Sequence, residues 1–243
     1  LVGLTLFAAP PAAPRHPAPA PLDDATIVAI FDAANGFDVG AGTLTLASVA
    51  TDGTKGDSGS FEPWLDTTGS ALAFLSQATN FDAAAGNEAW LDVFVRSFTN
   101  STTTLANTRN DGTMPTVGQN QSVSMSGLAT RVSFASANPG LDPADGDSVS
   151  DVYVKELDVP ATVLITDYGL GARGGLSQNP RISADGTHIA FESQARNLAP
   201  GKNSTVTDIL VENLATGTFA TASSSALGAT GNKDSASPSI SAD

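Results

Sequence analysis

The chain has no cysteine, and only 11 Lys+Arg among 243 residues. Without cysteine there is neither a disulfide nor a thiolate metal site. The few cations stand against 25 Asp+Glu, a formal net charge of −14. That balance argues against nucleic acid and anionic membrane surfaces as partners. Charged residues are 15% and aromatic residues 6%. No apolar run is long enough to cross a bilayer, so no membrane insertion is expected. What remains is 41% hydrophobic, too apolar for a disordered chain, on a length that suits one domain or two small ones with a buried core.

A repeat organises the apolar residues. Phe74, Phe134 and Phe191 each end a strand-like run as Phe-x-Ser, spaced by 60 and 57 residues. Asp92, Asp151 and Asp208 each open a β-branched run, spaced by 59 and 57. Pro63, Ser122, Pro180 and Pro238 mark an earlier strand at spacings of 59, 58 and 58. Such a period decides architecture before any local reading does. Each unit reads as four short strands. The third is Asp92–Arg96, Asp151–Lys155 or Asp208–Glu212, and the fourth is Thr103–Asn107, Thr162–Thr166 or Thr218–Thr221. The run Ala71–Ala85 has the composition of an amphipathic helix, but the aligned runs Thr130–Ala137 and Thr187–Ala195 alternate as strands, so strand is expected in all three. The fold class expected is all-β: a β-propeller of four-stranded antiparallel blades of about 57–60 residues, with three full blades plus partial ones. The blades fall at about 60–108, 119–167 and 178–222, with a partial blade at 236–243, inside a repeat region 43–243 that follows an Ala/Pro-rich segment 1–42. A blade buries little alone and needs its neighbours.

The segment Asn179-Pro180-Arg181-Ile182-Ser183-Ala184-Asp185-Gly186-Thr187-His188-Ile189-Ala190-Phe191-Glu192-Ser193 resembles the TolB-type, WD-like β-propeller repeat of bacteria. Ser237-Pro238-Ser239-Ile240-Ser241-Ala242-Asp243 matches its beginning, and the resemblance runs from about Leu44 to Asp243. Earlier units depart from it: Trp64–Gly69 replaces Ile-Ser-x-Asp-Gly, and Met125-Ser126-Gly127 lacks the Asp. The resemblance implies an exported, periplasmic or extracellular location and protein contact at the propeller faces. It also implies that the chain is a segment of a longer protein. Leu4–Phe7 and Ala25–Phe31 then read as strands of an earlier partial blade; only if the chain were complete would they join Pro238–Ser241 to close a four-bladed ring. The other reading of Leu1–Pro21 is the tail of a secretory leader.

Three motifs suggest chemistry. Gly56-Asp57-Ser58-Gly59-Ser60 looks like a serine-protease nucleophile segment, but a nucleophilic Ser needs a base, and only His16 and His188 exist. Gly169-Leu170-Gly171-Ala172-Arg173-Gly174 matches a dinucleotide fingerprint, yet Pro180 and a strand follow where a helix is required. Neither carries a catalytic or cofactor-binding assignment. The third is a loop with Asp142, Asp145, Asp147 and Asp151. Hard oxygen donors at that density suit Ca²⁺, although Tyr153 stands where an EF-hand places its closing Glu, and the plain alternative is a solvated acidic loop. His188 reads as a strand-edge residue, and Trp64 and Trp90 as blade packing. The expected function is a non-catalytic propeller scaffold or protein-binding segment. The alternative is an accessory propeller of a larger secreted hydrolase. A propeller that is itself an enzyme would need polar groups in its channel, where Glu62, Gln121, Asn179 and Arg181 are the candidates.

Overall fold

A computed structural model describes residues 45–241, apart from 84, 86–89, 115–117, 160, 167–174 and 197. The strands expected at Leu4–Phe7 and Ala25–Phe31, the leader alternative and the glycine-rich run at Gly169 lie outside the described residues. Within them the chain is all β. Strands β1 (Ser60–Leu65), β2 (Ala71–Ser76), β3 (Asp92–Ser97) and β4 (Thr102–Leu105) form one antiparallel sheet in chain order. A second sheet joins β5 (Asn120–Met125), β6 (Arg131–Ser136), β7 (Asp151–Glu156) and β8 (Ala161–Leu164). A third joins β9 (Ser177–Ile182), β10 (His188–Ser193), β11 (Asp208–Asn213) and β12 (Thr218–Thr221). These are the three expected blades. The run Ala71–Ala85, expected to be strand, begins as strand β2, and every β2 residue is buried, on both faces of the sheet. A helix would bury only a stripe.

Cross-strand aromatics fix the register. Phe74 pairs with Phe94 and Phe134 with Tyr153, their rings stacked at centroid distances of 5.8 and 5.7 Å. The serine of Phe-x-Ser stops the strand: Ser76, Ser136 and Ser193 Oγ accept the N–H of Ala78, Asn138 and Ala195. Such side-chain acceptors turn the backbone out of the ladder. The fourth strands of blades 1 and 2 end at Leu105 and Leu164, two residues before their expected ends, because Asn107 and Thr166 leave the ladder to bond side chains of the third strand.

The first strand of each blade contains an irregularity, and it corrects the repeat register of blade 2 by one residue. Glu62, Ser122 and Asn179 adopt left-handed backbone (φ 48, 49 and 53°) where the pairing with the second strand shifts register. Ser122 is therefore the counterpart of Glu62, and Val123 that of Pro63. Proline does not open the strand. It sits inside it, beside a bulge, a place that can do without an amide donor. Ser237 repeats the conformation (φ 60°) and donates its N–H to Glu192 Oε1. The segment 236–241 thus carries the backbone signature of a fourth first strand, although no ladder includes it among the described residues.

Blades stack through both faces. One core lies between blades 1 and 2 (Ala73, Val95, Val123, Phe134), and another between blades 2 and 3 (Val152, Val154, Ile189, Phe191). Antiparallel order sets the β1–β2, β5–β6 and β9–β10 turns at one end and the long loops after β2, β6 and β10 at the other. At the turn end the backbones interlock. Thr67 N and Oγ1 both donate to Gly127 O, and Gly127 N donates to Ala184 O at 2.7 Å.

Candidate functional site

The acidic loop lies at the other end, between β6 and β7. Asp151, the first residue of β7, is 3% exposed. It occupies a position shared by all three blades, because a residue just after each fourth strand donates to the third strand's opening carboxylate. Asn107 donates to Asp92, Thr166 to Asp151 and Ser223 to Asp208, at 2.9, 2.6 and 2.8 Å. The repeated aspartate is therefore first a clasp between strands three and four.

In blade 2 this clasp meets further carboxylates. Asp145, Asp147 and Asp151 each bring an oxygen within 4.8 Å of the others. Of the four acids expected to hold a cation, the loop brings these three together. Asp142 is apart from that group: it caps the loop, accepting the Ala144 N–H at 2.9 Å. Asp145 is buried and takes the Tyr153 hydroxyl on Oδ2 and the Asp147 N–H on Oδ1. Asp147 accepts the Val149 N–H at 2.7 Å. Asp151 Oδ1 takes the Thr166 hydroxyl, while its buried Oδ2 has no hydrogen-bond partner among the described residues. Burial pushes the Asp151 carboxyl up to about 7 against the Thr166 hydrogen bond, and the charges of Asp145 and Asp147 push the same way. Burial also raises Asp145, opposed by the Tyr153 hydrogen bond.

The remaining candidates have structural partners. Asp57, in the protease-like segment, accepts the Thr79 N–H and hydroxyl, and so clasps two loops. His188 contacts the Thr187 hydroxyl through Nδ1 and the Asn213 amide through Nε2, both within its own sheet. Asp185 caps its turn, where donation from Ser183 and Thr187 lowers its pKa to about 2. In the first strands of the blades Ser122 Oγ donates to Asn179 Oδ1 at 2.7 Å, and the Arg181 guanidinium lies 5.1 Å from the centre of the Trp64 ring. Trp64 packs against the core as expected. Trp90 does not, being 43% exposed in the loop before β3. A cleft of about 410 Å³ between β4 and the β7–β8 turn reaches Lys155, whose ammonium is engaged by the Thr108 and Thr162 hydroxyls.

No family model and no curated protein matches the chain. Solved structures do. A TolB candidate of Agrobacterium tumefaciens superposes with a TM-score of 0.42 and 14% identity, over 67% of this chain and 48% of that one. In fold, the chain is similar to TolB propellers. The β-propeller domain of the Trilobed protease from Pyrococcus furiosus gives 0.43 and 10%, over 67% of this chain and 41% of that one. TolB from Acinetobacter baumannii gives 0.29 and 11%, over 68% and 43%. The chain spans less than half the length of each.

Glu212 in β11 is a further buried acid, with Oε2 unpartnered among the described residues. Burial lifts its pKa from the ordinary 4.5 to about 7. The folded chain therefore binds this proton more tightly than the unfolded chain. Its contribution to stability is complete below pH 4.5 and is lost as the pH rises through about 7. Glu212→Gln is expected to raise the urea midpoint above pH 7 and leave it nearly unchanged well below pH 4.5, as paired unfolding titrations will show.

Proposed function

We propose that the chain is a non-catalytic β-propeller scaffold of an exported bacterial protein, presenting the end where its β1–β2-type turns meet to a protein partner. The observation that carries this reading is the backbone relay Thr67–Gly127–Ala184, which holds the turns of three blades in one rigid surface. A surface fixed by its own backbone binds without first paying ordering entropy. Leu128, 71% exposed, stands in the central turn, and Val159 stands exposed in the neighbouring β7–β8 turn. Both are apolar anchors of the kind a partner covers. The acids there serve structure. Burial works against the Asp66 carboxylate, but donation from Thr68, Ala71 and Ser70 outweighs it and holds its pKa below the ordinary value. Such acids are poorly placed for proton transfer near neutral pH. The TolB-type motif at Asn179–Ser193 supports a periplasmic or extracellular location.

A photo-cross-linker at position 128 is expected to capture a discrete protein in a cell-envelope extract, and one at Leu227, exposed beyond β12, is not. Leu128→Asp is expected to abolish capture from position 159. Equal capture from 128 and 227, or turnover of peptide, ester or glycan substrates by the purified chain, would overturn the proposal. Cross-linking of a peptide or glycan substrate instead of a protein would move the assignment to an accessory propeller of a larger secreted hydrolase.

A further inference from the structure

Blade 3 shows what a cation does at the acidic position of the repeat. The Lys202 ammonium lies 3.1 Å from Asp208 Oδ2 and donates to the carbonyl oxygens of Ser204 and Val206. Both side chains of the ion pair are fully buried. Lys202 precedes Asp208 by six residues, and Asp145 precedes Asp151 by six. The same offset sets Ser204 opposite Asp147 and Val206 opposite Val149. Blade 2 therefore keeps the strand-opening carboxylate of the cage, replaces the lysine with a second carboxylate and adds a third.

Two observations make this more than an acidic surface loop. Asp151 is 3% exposed, and its Oδ2 has no hydrogen-bond partner among the described residues while Oδ1 is held by Thr166. The equivalent carboxylate oxygen in blade 3 faces a positive charge supplied by the chain itself. We propose that Asp145, Asp147 and Asp151 bind a Ca²⁺ ion at the place the Lys202 ammonium takes in blade 3, with the Val149 carbonyl as a further ligand by its equivalence to Val206. The donors are oxygen only, which excludes the metals that select thiolate or imidazole. A mixture of carboxylates and a loop carbonyl suits Ca²⁺, which takes about six to eight oxygens in irregular geometry. Mg²⁺ demands a near-ideal octahedron and keeps several of its waters. Each carboxylate has lone pairs beyond those its present donors use. The ion would pin the β6–β7 loop to the start of β7, as Lys202 pins the loop before β11.

The test uses the full 243-residue chain. Thermal unfolding in about 5 mM CaCl₂ is compared with EDTA at matched ionic strength, and calorimetric titration gives the stoichiometry. At a hundredfold excess over Kd the midpoint is expected to rise by about 5–10 °C, with one ion per chain and at least about tenfold weaker binding of Mg²⁺. Asp147 is half-exposed, so Asp147→Asn is expected to fold. In EDTA this variant should melt no lower than the parent, having lost a like charge, and the Ca²⁺ shift should disappear. An unchanged midpoint in Ca²⁺, a shift that survives Asp147→Asn, or an equal response to Mg²⁺ would overturn the proposal.

Discussion

Lys202→Met is expected to lower the free energy of unfolding by about 3–5 kcal/mol, the usual consequence of removing one member of a buried ion pair. Methionine keeps most of the apolar stem, so little of the loss comes from a cavity. What is left is Asp208, fully buried, with its Ser223 hydrogen bond and no ammonium. The carbonyls of Ser204 and Val206 lose their donor as well. Adding Asp208→Asn to Lys202→Met is expected to recover much of the loss, because asparagine still accepts from Ser223 and leaves no buried charge. Urea unfolding of the two single variants and the double completes a mutant cycle whose coupling term isolates the pair. A loss below about 1 kcal/mol for Lys202→Met would place the pair among weak surface bridges and refute the cage.

Gly127→Val is the second large effect expected, at about 3 kcal/mol, near the upper end for overpacking a well-filled site. A Cβ at Gly127 would lie 2.8 Å from Thr67 Cγ2 and 2.9 Å from both Cβ and O of Ala184. These atoms belong to the turns of blades 1 and 3, and Ala184 O accepts the Gly127 N–H. The turns must separate, and both links of the relay weaken together. A urea midpoint unchanged by Gly127→Val would mean that the turns pass one another with room to spare.

The repeat made the blade pattern legible because its anchors do structural work. Phe74, Phe134 and Phe191 are fully buried, Ser76, Ser136 and Ser193 stop their strands, and Asp92, Asp151 and Asp208 clasp strand three to strand four. The bulge in each first strand was not legible. Its left-handed position is held by Glu62, Ser122 and Asn179, and only asparagine among these has a marked tolerance for that conformation. Without glycine there is no turn signal, and the spacing of the prolines sets Ser122 opposite Pro63, one residue before its true counterpart Val123. The acidic loop was visible as composition, but composition could not separate Asp142, which caps the loop, from Asp147, which joins the cluster. Lys202 was missed for a different reason. A lysine in a polar loop reads as surface, and only the six-residue offset from Asp208, set beside that from Asp145 to Asp151, marks it as a built-in cation. Trp90 departs from the packing expected of it, because its place in the loop before β3 faces solvent.

The scaffold reading depends on the three blades behaving as one rigid body. Native-state hydrogen exchange tests this most directly, with the Thr67 and Gly127 amides compared with those of Phe94, Tyr153 and Leu210 in the third strands. The expected result is that all five exchange through the same global opening, with one free energy and one denaturant dependence. Separate opening energies for the three blades, with Thr67 and Gly127 exchanging as loosely as isolated turns, would contradict the account.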